Sequence, residues 1–154
     1  MELLYSYNYF LKECVTDSKA FFMEIAKLDG VDIAYEDFGA GYPILLIHGF
    51  ASNANINWIG PGWINTLNDA GYRVIALDNR GHGQSSKFYE EDDYALETMA
   101  NDARLLLEYL GIEKAHVMGY SMGGRITSML TYKHSELVEK AILAGNGYNM
   151  VSGG

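Results

Sequence analysis

Apolar positions mark out the elements of this chain from about residue 22 onward. Phe22 to Leu28 alternates apolar and polar positions and predicts a strand. Asp29-Gly30 is a hairpin turn signal, and Val31-Asp32-Ile33-Ala34-Tyr35-Glu36-Asp37 alternates with period two as the returning strand. After Gly39-Ala40-Gly41 comes Pro43-Ile44-Leu45-Leu46-Ile47, a continuous apolar run. Arg73-Val74-Ile75-Ala76-Leu77, Ala115-His116-Val117-Met118 and Ala141-Ile142-Leu143-Ala144 share that character. Runs apolar on both faces suit strands buried within a parallel sheet. Between them, Trp58 to Ala70 predicts a short helix closed by Gly71. Leu96 to Leu110 sets Met99, Ala103, Leu106, Leu107 and Leu110 on one helical face and stops at Gly111, and Arg125 to Lys133 predicts a further helix. Asp78 to about Asp93 is a long polar loop.

A hairpin followed by alternating strands and helices predicts an α/β fold, a mostly parallel sheet with helices on both faces. Residues 1–21 are Tyr-rich with no clear period. They are read as an N-terminal extension, with Met23 a candidate alternative start, and 22–154 as the α/β domain. Ligands bind such sheets at the carboxyl ends of the strands, where His48-Gly49, Asp78-Asn79 and Ser121 fall.

Composition narrows the function classes. The 154 residues are 49% hydrophobic and 20% charged, enough apolar content for a core and against disorder. Lys and Arg number 11 against 20 Asp and Glu, a net charge of -9, which disfavours nucleic acid and anionic membrane surfaces as partners. A small-molecule substrate is the expected partner. The single cysteine, Cys14, cannot close an intrachain disulfide, and no Cys/His cluster has zinc spacing, so neither metal nor cofactor is assigned and a reducing, cytoplasmic setting is expected. Met1-Glu2-Leu3-Leu4-Tyr5 is a poor signal-peptide start, and no apolar run has the length of a membrane span.

The chemistry-bearing stretch is Gly119-Tyr120-Ser121-Met122-Gly123-Gly124. It has G-x-S-x-G spacing, with a strand before and a helix after. A strand turning that sharply into a helix strains the serine backbone and lifts Oγ clear of the sheet; side chains two positions away would collide, hence Gly119 and Gly123. Two further motifs end earlier strands: His48-Gly49-Phe50, and Asp78-Asn79-Arg80-Gly81-His82-Gly83-Gln84-Ser85.

With these three motifs in order, the chain from about Ile25 to Asn146 resembles the N-terminal part of a serine hydrolase of the α/β-hydrolase superfamily. The resemblance implies an esterase-like enzyme with Ser121 as nucleophile. The backbone N–H groups of Phe50 and Met122 would form the oxyanion hole, where preorganised donors and the positive end of a helix stabilise developing charge. It further implies that His48, Gly49, Asp78, Arg80, Gly81, Gly83, Gly119 and Gly123 are structural. Tyr120 and Phe50 flank the catalytic positions and are expected at the acyl side.

In this superfamily the triad runs serine, acid, histidine. His48 and His82 are therefore read as loop residues, His116 as part of the elbow strand, and His134 as remote in the following helix. Some members carry the acid after the sixth strand, but Gly145-Asn146-Gly147 offers no carboxylate there. The resemblance thus implies that the acid, the histidine, the last strands and the cap lie outside this chain, leaving Ser121 a weak nucleophile. The chain is expected to be a fragment or half of a split enzyme, or a non-catalytic remnant, with an exposed sheet edge open to self-association or to a complementing half. Serine at the elbow argues against the haloalkane dehalogenase and epoxide hydrolase branches, which use aspartate there.

Arg125 carries an alternative. Gly-Tyr-Ser-Met-Gly-Gly-Arg resembles the elbow of the menaquinone-pathway lyase (SHCHC synthase), in which the matching arginine binds a substrate carboxylate. Otherwise Arg125 is a solvent-facing or salt-bridged helix residue. Glu90-Glu91-Asp92-Asp93 has no ligand spacing and reads as a solvated loop. Trp58, Trp63 and Tyr148 read as core or pocket wall.

Overall fold

The structure, a computed structural model, describes residues 23–147. The 1–21 segment, Cys14, Phe22 and Tyr148 lie outside the described residues. Strand β1 (Glu24–Leu28) pairs antiparallel with β2 (Val31–Phe38) across Asp29-Gly30, where Gly30 takes a left-handed φ of 77° that a two-residue hairpin accommodates. Then follow β3 (Tyr42–Ile47), β4 (Tyr72–Leu77), β5 (Ala115–Tyr120) and β6 (Val138–Ala144). The sheet order is β1-β2-β4-β3-β5-β6, with β3 parallel to both β4 and β5 and β5 parallel to β6. The chain leaves β3 to one side for β4 and returns to the other side for β5. The carboxyl end of β3 is therefore a topological switch point, the place where open α/β sheets bind ligands.

Both faces of the central strands are covered. Leu45, Ile47, Ile75, Leu77 and Val117 pack with Leu106 and Leu107 of α2 (Leu96–Tyr109) and Ile126 and Leu130 of α3 (Met122–Lys133). Ile44, Leu46, Val74, Ala76 and Met118 pack on the other face with Trp58 and with Ile64 of α1 (Trp63–Asp69). Full burial of each Leu, Ile, Val or Met side chain among these stabilises the fold by about 1.5–3 kcal/mol.

Three elements differ from the sequence expectation. Trp58 to Ala70 is not one helix: a π-helical turn, Asn55–Ile59, precedes α1, and Gly60-Pro61-Gly62 separates them, with Gly62 left-handed at φ 88°. Pro61 lacks the N–H a continuing helix would need. Helix α3 begins at Met122 and not Arg125, because Gly123 and Gly124, poor helix formers by propensity, are required there by close packing. Strand β6 begins at Val138, where Glu139 falls at an irregularity in the ladder and ion-pairs with Lys114 (2.8 Å) and Lys140 pairs with His116, neither leaving an apolar signal. Its Ala141, Ile142 and Leu143 are exposed and not buried as their apolar run suggested, since no further strand or helix among the described residues covers them. Within the polar loop, Glu91–Tyr94 forms a 3-10 turn. Trp58 is buried, whereas Trp63 is exposed.

Candidate active site

Ser121 occupies the junction of β5 and α3 with φ 54° and ψ -116°. Its N–H donates to the Ala144 carbonyl (2.8 Å), and its carbonyl accepts from Gly124 (2.9 Å) and Arg125 (3.3 Å), so the backbone is held from both sides. A Cβ at Gly119 would lie 2.1 Å from the Gly123 carbonyl oxygen, and one at Gly123 would lie 2.0 Å from the Ile47 carbonyl oxygen. Those contacts leave no room for a side chain on either glycine, and they fix α3 against the end of β3.

The loop after β3 runs directly past the serine. A Cβ at Gly49 would sit 3.4 Å from Ser121 Cβ and 3.3 Å from the Tyr120 carbonyl oxygen. Phe50 follows, 76% exposed, and Ala51 then takes a positive φ of 54°. No described residue accepts the Phe50 N–H. As the first residue of α3, Met122 has no intrahelical acceptor for its own N–H.

The histidines beside this loop have both ring nitrogens committed. His48, fully buried, accepts the Asn79 N–H at Nε2 (2.9 Å) and is 2.7 Å from the Gly49 carbonyl at Nδ1. An acceptor at Nε2 fixes the proton on Nδ1, which donates to that carbonyl. Burial pushes the imidazole down to about 4, so the ring is neutral. His82 is held likewise. Nε2 accepts the Ala51 N–H (3.2 Å) and Nδ1 donates to the Arg80 carbonyl (2.9 Å). The two rings meet edge to face at 5.2 Å, and His82 meets the Phe50 ring at 5.9 Å. His116 lies near the start of β5, the opposite end of the strand from Ser121, between the rings of Tyr42 and Tyr72. His134 caps the far end of the 12-residue α3, roughly 18 Å of helix rise from Ser121. None of the four is placed to take a proton from Ser121.

Asp78 is buried and ties three segments together. Oδ1 accepts the Ala54 N–H (2.8 Å), Oδ2 accepts the Gln84 N–H (2.8 Å), and the Asp78 carbonyl accepts the Ser85 hydroxyl (2.6 Å). Gly83 packs so closely on this carboxylate that a Cβ would lie 1.8 Å from Oδ2. Gly81, at φ 77°, lies against the Tyr94 ring in the same way. Arg80 is buried and forks onto Asp102 of α2 (2.5 and 2.7 Å), donates to the Asp93 carbonyl (3.0 Å), and lies 4.9 Å over the Phe88 ring. The hydrogen bonds to Asp102 raise the guanidinium above its ordinary value. Burial pushes the Asp102 carboxyl up and Arg80 pulls it back; with both oxygens held in a fork, the pair is charged at neutral pH.

Asp102 was not singled out from the sequence, although it lies three residues after Met99 and four before Leu106, on the apolar stripe of α2 where a carboxylate needs a partner. Ala51 and Tyr94 carried no sequence signal. Phe50, Ala51, Gly81, His82, Tyr94, Met99 and Met122 line a cleft of about 560 Å³ at the mouth of the site. Tyr120 and Arg125 are outside that lining. The Tyr120 ring packs over Gly49 and Gly145, and Arg125 is exposed, its side chain with no hydrogen-bond or ion-pair partner among the described residues. Among the described residues no cluster of His, Cys, Asp and Glu could hold a metal ion, and no helix is long and apolar enough to cross a membrane.

A family model described as alpha/beta hydrolase fold matches residues 42–152. A putative non-heme chloroperoxidase of Synechocystis is 44% identical over 117 residues, covering 73% of this chain and 40% of its own length. A non-heme chloroperoxidase of Kitasatospora aureofaciens is 41% identical over 99 residues, covering 62% of this chain and 33% of its own. Among solved structures, a putative alpha/beta hydrolase from Nostoc superposes with a TM-score of 0.70 at 29% identity, over 77% of this chain and 40% of that one. An epoxide hydrolase from Vigna radiata gives 0.72 at 21% identity, over 77% and 38%, a likeness of fold alone. The chain spans between a third and about two-fifths of the length of these relatives. From its matched family model and its fold, the chain belongs to the α/β-hydrolase family.

Proposed function

We propose that this chain carries the nucleophile half of a serine hydrolase acting on small-molecule esters. Ser121 Oγ attacks the ester carbonyl. The N–H groups of Phe50 and Met122 hold the oxyanion, the alcohol leaves, and water hydrolyses the acyl-enzyme. The observation that carries this reading is the strained backbone of Ser121, locked between two glycines, with the Gly49-Phe50 loop against it. Preorganised donors of this kind each contribute about a hundred- to a thousandfold in rate. Since all four histidines are engaged elsewhere or distant, the general base and its acid come from outside the described residues. Serine at the elbow, where dehalogenases and epoxide hydrolases of this fold use aspartate, favours acyl transfer.

A second acceptor follows from the relatives named non-heme chloroperoxidases. Hydrogen peroxide attacking the acyl-enzyme in place of water would release a peracid and free Ser121, and the peracid would oxidise halide. The lyase reading through Arg125 has less support, since that side chain is exposed and outside the cleft lining.

The test is hydrolysis of p-nitrophenyl butyrate with imidazole supplied as an external base, with and without Ser121→Ala, assayed also with peroxide and bromide. Turnover lost in the alanine variant supports the nucleophile. Equal rates in both proteins would remove it. Peroxide-dependent bromination that survives Ser121→Ala would remove the peracid route.

A further inference from the structure

The cleft beside Ser121 has an unusual wall, in that its polar side chains are spent inward. Tyr94 Oη donates to the Phe88 carbonyl (2.8 Å) and accepts the Phe88 N–H (3.1 Å). His82 gives one ring nitrogen to the Arg80 carbonyl and the other to the Ala51 N–H. Among the described residues, no Lys, Arg, Asp or Glu lines the space. Arg80, on the same loop, is held by Asp102 and the Asp93 carbonyl and stacked on Phe88. The cleft is lined by the exposed Phe50 ring, the Met99 and Met122 side chains and the His82 and Tyr94 rings. The volume of about 560 Å³ lies in the range of roughly 300–1,000 Å³ usual for small-molecule sites.

A carboxylate or ammonium brought here would lose water and find no partner, which is costly. A phenyl ring or a five- to six-carbon chain gains from every apolar contact, and methionine adapts its shape to either. The N–H groups left to a ligand are those of Phe50 and Met122, at the end where the oxyanion forms.

We propose that this cleft is an acyl-binding site for uncharged apolar groups, so that the substrates are esters of medium-chain or arylalkanoic acids. Half-esters of dicarboxylic acids and aminoacyl esters are rejected. The inference rests on the nucleophile reading for the orientation of the acyl group, but the binding it asserts does not require reaction.

The experiment uses the chain with Ser121→Ala and ¹³C-methyl methionine labels. The protein is titrated with methyl hexanoate, methyl phenylacetate and monomethyl succinate while the methyl resonances are followed. Met99 and Met122 are expected to shift saturably with the first two esters and at least tenfold more weakly with the succinate. Equal response to the succinate, or shifts confined to other methionines, would overturn the proposal. A parallel assay, with imidazole supplied as an external base, compares p-nitrophenyl hexanoate with p-nitrophenyl hemisuccinate on the wild-type chain. If Met99 and Met122 respond while Ser121 proves inert, the nucleophile reading fails and the acyl site stands. If Ser121 turns over esters while neither methyl responds, the acyl site fails and the nucleophile stands.

Discussion

Ser121 takes a backbone conformation that an L-residue adopts at a cost on the order of 1–3 kcal/mol, and Gly119, Gly123 and the Ala144 carbonyl hold it there. Strain kept at one residue by its surroundings should be released by removing its Cβ. Ser121→Gly is therefore expected to raise the unfolding free energy by about 1 kcal/mol relative to Ser121→Ala, read from urea midpoints at equal m-value. Gly123→Ala works in the opposite direction. Its methyl would sit 2.0 Å from the Ile47 carbonyl oxygen, and backbone must move, costing about 1–3 kcal/mol by the same measurement. His48 gives a pH signature. Its folded value of about 4 lies below the ordinary imidazole value near 6.5. The unfolded chain binds the proton first, so His48 should lower stability progressively as pH falls from about 6.5 to about 4, by on the order of 3 kcal/mol, and add nothing further below that. Urea titrations at pH 7 and 4.5, with His48→Phe as the control that flattens this component, check the sign.

At the scale of elements, the loop between β4 and α2 is shaped by buried polar groups. Asp78 ties it to the Ala54 turn, and the Arg80–Asp102 pair ties it to α2. Removing one partner of a buried pair leaves the other uncompensated. Asp102→Ala should cost about 3–5 kcal/mol, and Arg80→Met with Asp102→Leu should recover most of that loss in thermal unfolding. These elements also show how far sequence pattern carries. The buried strands and α2 were legible because Ile44 to Ile47, Val74 to Leu77 and the Met99-to-Leu107 stripe carry period and length together. The Gly-Tyr-Ser-Met-Gly junction was legible because its glycines answer to a local clash. The split of the Trp58–Ala70 segment was concealed in Pro61, and the first half of β6 in Glu139, at a ladder irregularity, and Lys140, which pairs through backbone, neither with an apolar mark. The partners of Arg80 and Asp78, the positive φ of Ala51 and the order of strands depend on contacts between distant segments, which no local pattern encodes.

For the whole molecule, the sheet places β3 at the switch point and brings the ends of β3, β4 and β5 together. At the other side, β6 is the last strand among the described residues, and Ala141, Ile142 and Leu143 on it are exposed. An edge carrying apolar side chains and unpaired backbone groups promotes strand-to-strand association. Sedimentation of the chain is expected to show concentration-dependent self-association that Ile142→Lys weakens; a monomer at all concentrations would contradict this. The reaction proposed for this site makes one bond to the protein, the ester between an acyl group and Ser121 Oγ. The direct measurement is peptide mass spectrometry of the chain after exposure to p-nitrophenyl hexanoate, with imidazole supplied as an external base. One hexanoyl group is expected on the peptide containing Ser121, absent after Ser121→Ala and reduced by Gly49→Ala, whose methyl would lie 3.4 Å from Ser121 Cβ. Acylation of lysines alone, or of Ser121 no faster than of other surface serines, would contradict it.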